Sequence, residues 1–255
     1  MSLKSTLQTL TASAFLAATL FACAGMGNKV DKASLSQMKT AALVGFTVDE
    51  RQPASGSAIG RGMLGMESGS GFGGGKLSFE IKNDKHIDAG YDIASKTLGD
   101  RLGMKFTSLA TVAANPAVQT LYSKKTATMQ TGVTPLKPYY ERYEATNIPQ
   151  AYYAQWADKA QLNQIAKSLN VDTLVILNSK TDLSAGIVGK MSSTANISIM
   201  FYDPRTSEFS TYLNQVGDSV DTKDAKVMGF ADTNEMHIQS LEAMQSALNK
   251  AATQL

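Results

Sequence analysis

The sequence predicts a single α/β domain of three layers, a mixed sheet between helices, with a C-terminal β-hairpin and a closing helix. Three observations predict it. Short apolar runs of strand-forming residues alternate with segments whose apolar residues recur at helical spacing. One antiparallel hairpin is legible in the stretch Ala195 to Val216. The chain has 255 residues, 43% of them hydrophobic, which is enough for one substantial core and excludes disorder over its whole length.

The first element is an address. Residues 1–22 hold one charge, Lys4, and an apolar run from Leu10 to Ala22. A membrane-spanning helix needs about 20 apolar residues, so this shorter run reads as the core of an export signal. It ends in Leu20-Phe21-Ala22-Cys23, which resembles the lipobox of bacterial lipoproteins and contains the only cysteine of the chain. Ala22-Cys23-Ala24 also satisfies the small-x-small rule of ordinary signal cleavage, so simple secretion is the competing reading. Lipid on Cys23 would attach the protein to a membrane. Ala24 stands where an Asp would signal inner-membrane retention, which makes the periplasmic face of the outer membrane the expected location.

Residues 23–37 read as a flexible tether and 38–255 as the domain. Ala41 to Val48 is an apolar run between Lys39 and Asp49 and predicts the first strand. A glycine-rich loop, 53–76, follows. Ile87, Tyr91, Ala94, Leu98 and Leu102 recur at helical spacing, and Gly103 stops the helix. Met104 to Val112 predicts a second strand, and Pro116 opens a short helix holding Val118, Leu121 and Tyr122. Residues 128–154, interrupted by Pro135, Pro138 and Pro149, read as an irregular insertion. Asp158 precedes a helix with Leu162, Ile165, Ala166 and Leu169 on one face, and Asp172 to Ser179 is a buried strand. The hairpin turns at Asp203-Pro204-Arg205-Thr206, and Thr233 to Leu255 predicts a helix with Ile238, Leu241, Met244, Leu248 and Ala252 inward.

Composition narrows function. Lys+Arg 24 against Asp+Glu 22 gives a net charge of +2, without the basic excess that binds nucleic acid. One Cys and two His are too few for a structural metal site or a disulfide framework, and no cofactor is expected. Gly60-Arg61-Gly62-Met63-Leu64-Gly65 matches G-x-G-x-x-G, but it neither follows a strand directly nor opens a helix, because glycines continue to Gly75. Gly75-Lys76 fails as a phosphate loop, with Ser70 at the first glycine position and Leu77 at the magnesium hydroxyl. No G-x-S-x-G accompanies His86 or His237, so no hydrolase triad can be assembled and no enzyme is expected.

Tyr139, Tyr140, Tyr143, Tyr152, Tyr153 and Trp156 place five of nine tyrosines and the single Trp in one short stretch. Rings with polar tips bury area at low entropic cost, which makes these six the predicted partner-binding surface. Cover for the core beneath a long connection is the plainer reading, and stacking on a sugar is a third.

Leu162 to Leu177, then the hairpin Ala195 to Phe201, then Asp203-Pro204-Arg205-Thr206-Ser207-Glu208 and the return strand, resemble the bacterial envelope lipoproteins that include CsgG, LpoB and the amino-terminal domain of TolB. In that family the hairpin turn reads D-x-x-T/S-G-E; here Ser207 replaces the glycine. The resemblance implies a fold like the TolB amino-terminal domain. It also implies a lipid-anchored, non-enzymatic accessory or regulatory factor that binds an envelope protein, and leaves a homo-oligomer open. A soluble periplasmic protein binding a small molecule or glycan through residues 139–156 is the alternative.

Overall fold

The computed structural model describes residues 28–51, 84–128, 140–185, 190–218, 223–224 and 233–255. Strand β1 (Thr40–Arg51) is central because it is apolar on both faces: Ala41, Ala42, Leu43, Val44, Phe46 and Val48 are all buried. It pairs in parallel with β2 (Lys105–Phe106) at its start and with β4 (Thr173–Ala185) along its length. Its far end pairs antiparallel with β3 (Tyr140–Glu144). Beyond β4 the sheet continues antiparallel through β5 (Lys190–Asp203) and β6 (Glu208–Asp218), with β7 (Lys223–Asp224) beside the start of β5. The principal strand order is therefore β2-β1-β4-β5-β6, a mixed sheet in a single α/β domain.

The helices begin with α1 (Lys32–Gln37), capped by the Asp31 side chain accepting from Ser34 N. Helices α2 (Asp84–Leu102) and α7 (Thr233–Ala252) cover one face of the sheet. Gly90 of α2 packs close to Leu241 and Met244 of α7, and the Phe46 and Tyr91 rings meet edge to face at 5.8 Å. Between them in sequence come α3 (Leu109–Ala113), α4 (Pro116–Thr128), α5 (Ala151–Gln155) and α6 (Lys159–Leu169). Helix α5 crosses β1 and β4, and α6 reaches the opposite face of the sheet through Tyr202, whose hydroxyl donates to Asn163 Oδ1 at 3.0 Å. Helix ends follow local chemistry: Gly103 and Asn170 take left-handed φ of 65° and 52°, and Asp158 caps α6.

Four expectations are corrected. The second strand is only Lys105–Phe106, because Ser108 accepts from Thr111 N and starts a helix in the alanine-rich run that follows. The insertion 128–154 is partly regular: it supplies β3 and the start of α5, with a turn and irregular chain at 145–150 between them, while residues 129–139 lie outside the described residues. The tether 23–37 belongs to the fold from residue 28, since Leu35 is buried and Lys29 pairs with Tyr212. Ile238 is 45% exposed; among the described side chains of α7 the inward ones are Gln239, Ser240, Ala243, Met244, Ala247, Leu248 and Ala251. The leader 1–22, Cys23 and the glycine-rich loop 53–76 lie outside the described residues. The hairpin agrees with expectation, and Ser207 in its turn takes a left-handed φ of 56°.

Candidate functional site

Period-2 alternation separates the two faces of β4, β5 and β6. Val175, Leu177, Ile197, Ile199, Phe201 and Leu213 turn to α7 and its surroundings and are buried. On the other face Leu174, Ile176, Met200 and Tyr202 are also buried, beneath α5 and α6. One register step further the residues become polar: Thr47 of β1 pairs with Asn178 of β4, Asn178 with Ser198 of β5, and Ser198 with Asn214 of β6. Four strands thus present one polar row.

The row is wired at both ends. Thr47 Oγ1 accepts from Ala151 N at 2.8 Å, which fixes the first turn of α5 on the sheet. Ser198 Oγ donates to Asn214 Oδ1, and Asn214 Nδ2 donates to the Tyr212 hydroxyl at 3.1 Å. Asn214 N donates to Asn28 Oδ1 at 2.9 Å, and Asn28 Nδ2 donates back to Asn214 O at 3.4 Å. A shallow cavity of about 190 Å³ lies over the row, lined by Thr47, Tyr152, Gln155, Asn178, Lys180, Ser198 and Tyr212 among others. Its lining offers hydroxyls, carboxamides, two phenols and one ammonium. These groups can donate and accept hydrogen bonds to whatever lies over the row.

The predicted aromatic surface is only partly brought together. Tyr152 and Tyr153 of α5 meet edge to face, their centroids 5.7 Å apart, and Tyr152 is 61% exposed and lines the cavity. Trp156, the C-cap of α5, is 69% exposed. Tyr140 and Tyr143 stand on β3 opposite Arg51 and Val48, and nothing of their side chains is described. Tyr139 lies outside the described residues, as do the side chains of His86 and His237. Sequence reasoning missed Thr47, Gln155, Asn178, Ser198 and Asn214. The signal was present in the passage from apolar Thr173–Leu177 to Asn178 and Lys180, at positions of one parity, which marks where a strand leaves its cover.

The strongest electrostatic features hold the opposite end of the sheet together. Asp172 accepts from Lys39 N at 2.8 Å and from Thr40 N and Oγ1 at 2.9 and 3.0 Å, and these bonds hold its carboxyl below the usual carboxylate range. Asp203, 2% exposed, is likewise lowered, first by the fork of Arg205: Nε reaches Oδ1 at 2.9 Å and Nη2 reaches Oδ2 at 2.7 Å. Ser34 Oγ also donates to Asp203, and Arg205 Nη1 donates to Gln37, so the hairpin turn is bound to α1. Burial pushes the Tyr202 phenol up, and that of Tyr91, whose hydroxyl donates to Leu43 O at 2.9 Å, further still.

Comparison with known proteins returns no matching family profile and no matching curated protein. Solved structures give weak likenesses. The lipoprotein GNA1162 from Neisseria meningitidis is 7% identical with a TM-score of 0.36, over 75% of this chain and 90% of that one. The hypothetical protein CT253 from Chlamydia trachomatis is 10% identical with a TM-score of 0.37, over 85% of this chain and 95% of that one. No function is transferred from either. Among the described residues no helix is long and apolar enough to cross a membrane.

Proposed function

We propose that the chain is a lipid-anchored protein of the cell envelope, attached through Cys23 to the periplasmic face of the outer membrane. Its α/β domain serves an envelope complex by binding protein, without catalysis. The observation that carries the binding role is the exposure of Tyr152 and Trp156 on α5, over an open polar sheet face. Large rings standing free beside hydrogen-bonding groups suit the centre of a protein interface, where aromatic anchors supply most of the energy. The anchor rests on Leu20-Phe21-Ala22-Cys23, and the resemblance to the CsgG, LpoB and TolB group agrees with both parts.

A second reading has one observation in its favour: Tyr152 lines the cavity together with Gln155, Asn178 and Ser198, a set that could hold a sugar. At about 190 Å³ the cavity is smaller than the roughly 300–1,000 Å³ usual for ligand pockets, which favours the protein interface. The test uses the full-length protein in its own cells. Cys23→Ala is expected to leave the membrane fraction; continued pelleting with outer membrane would refute lipid attachment there. A photo-crosslinker at Trp156 is expected to trap one envelope protein, and Tyr152→Ala to weaken that adduct. Binding of saccharide fragments with no protein adduct would move the assignment to the glycan reading.

A further inference from the structure

The segment that leads into the domain is held by the outer edge of β6. Lys29 and Tyr212 exchange both backbone hydrogen bonds, at 2.7 and 2.8 Å. The carboxamide of Asn28 carries a donor and an acceptor, as a peptide group does, and it takes Asn214 O and Asn214 N to extend that ladder. Asp31 N then donates to Thr211 Oγ1 at 3.3 Å, and Leu35 and Met38 enter the core. The chain is therefore fixed to the sheet edge from residue 28 on.

That clamp shortens the free part of the tether. Cys23 and Asn28 are five residues apart, which caps their separation at about 18 Å even in a fully extended chain. A tether free as far as Met38 would have reached about 54 Å. We infer that the β6 edge, with the end of α7 beside it, is the face of the domain held against the lipid surface. The inference rests on the anchor at Cys23 given above. Gln254 Nε2 donates to Gln215 Oε1, which places the end of α7 at this edge. Strand β2 lies four strand spacings away, about 19 Å across the sheet, and the exposed Lys105 stands on it. The occupant of the β6 side is the bilayer itself.

The test is energy transfer in the lipidated full-length protein, reconstituted in phosphatidylethanolamine and phosphatidylglycerol vesicles carrying an acceptor dye on the headgroups. Val216, 46% exposed on β6, and Lys105 on β2 are each replaced by Cys and labelled with a donor; the lipid blocks the thiol of Cys23. Transfer is expected to be stronger from the Val216→Cys position than from Lys105→Cys. Ten Gly and Ser residues inserted between Met26 and Gly27 raise the ceiling from about 18 Å to about 54 Å, and loss of transfer from Val216→Cys is the expected result. Equal transfer from the two positions, or no loss on insertion, overturns the inference while the anchor stands. If the protein does not float with vesicles, the anchor at Cys23 is wrong and the inference falls with it.

Discussion

The two faces of the sheet are built on different terms. The face under α2 and α7 is apolar through most of its width, from Phe46 and Leu177 across Ile199 to Leu213, and long helices close it. The other face is apolar only as far as Leu174, Ile176, Met200 and Tyr202; then the row Thr47, Asn178, Ser198 and Asn214 begins, and cover stops at the five residues of α5. One face supplies stability, and the other surrenders burial to expose hydrogen-bonding groups and rings. The proposed binding surface would rest on a rigid support of this kind.

Among the described residues each face of the sheet has one strand glycine against which a helix packs, and these give the sharpest contrast. A Cβ at Gly217 would stand 2.1 Å from Ala247 N and 2.5 Å from Ala247 Cα, against the backbone of α7. Nothing short of moving that helix relieves the clash, so Gly217→Ala is expected to cost about 3 kcal/mol, read as a lower midpoint in urea unfolding. A Cβ at Gly45 would meet the Ala154 side chain at 2.5 Å and lie 3.3 Å from Ala151 Cα, on a helix of only five residues. Gly45→Ala is expected to cost about 1 to 2 kcal/mol and to weaken crosslinking from Trp156, because α5 shifts. Equal costs would mean that the two faces are closed equally firmly.

The stable face has its own weak end. Ser179, Thr181 and Gln239 are buried, and Ser179 Oγ, Thr181 Oγ1 and both terminal atoms of Gln239 have no hydrogen-bond partner among the described residues. Ser193 Oγ is better placed, donating to Gln239 O at 2.7 Å. A buried polar atom without a partner costs roughly 1–3 kcal/mol. Thr181→Val keeps the shape and deletes one such atom, so it is expected to stabilise the protein by about 1 kcal/mol, with a rise in melting temperature as the readout. A fall would show that the hydroxyl is satisfied in solution and that this end is as sound as the rest.

Sequence legibility follows the same division. Where a segment meets apolar cover its period survives in the residues: Ile87, Tyr91, Ala94 and Leu98 are all buried as their spacing predicts, and so are Ala195, Ile197, Ile199 and Phe201. Period fails where tertiary contact decides. Ile238 is exposed while Gln239 and Ser240 face inward, because the N-terminal half of α7 lies on the polar end of the sheet and gains little from an apolar stripe. Strand β3 forms because β1 offers it an open edge from Thr47 to Arg51, which no local pattern announces. The aromatic stretch identified α5, but the polar row is shared by four strands and emerges only once their register is known.

The smallest effect concerns the end of the sheet where the faces no longer differ. Asp172 ties the start of β1 to the start of β4, and Asp203 ties the hairpin turn to α1. Both carboxyls are held below their ordinary range, near 3.9 in an unfolded chain. A group lowered in the folded state stabilises that state fully above its unfolded value, and the contribution fades as pH falls through the folded one. Stability is therefore expected to be level near neutrality and to decline below about pH 4, in unfolding curves taken at successive pH values. Asp203→Asn should lower the plateau, since Arg205 loses its ionic partner, and flatten the decline below it. An unchanged acid slope in that variant would place the pH sensitivity elsewhere, leaving the Arg205 fork a matter of geometry alone.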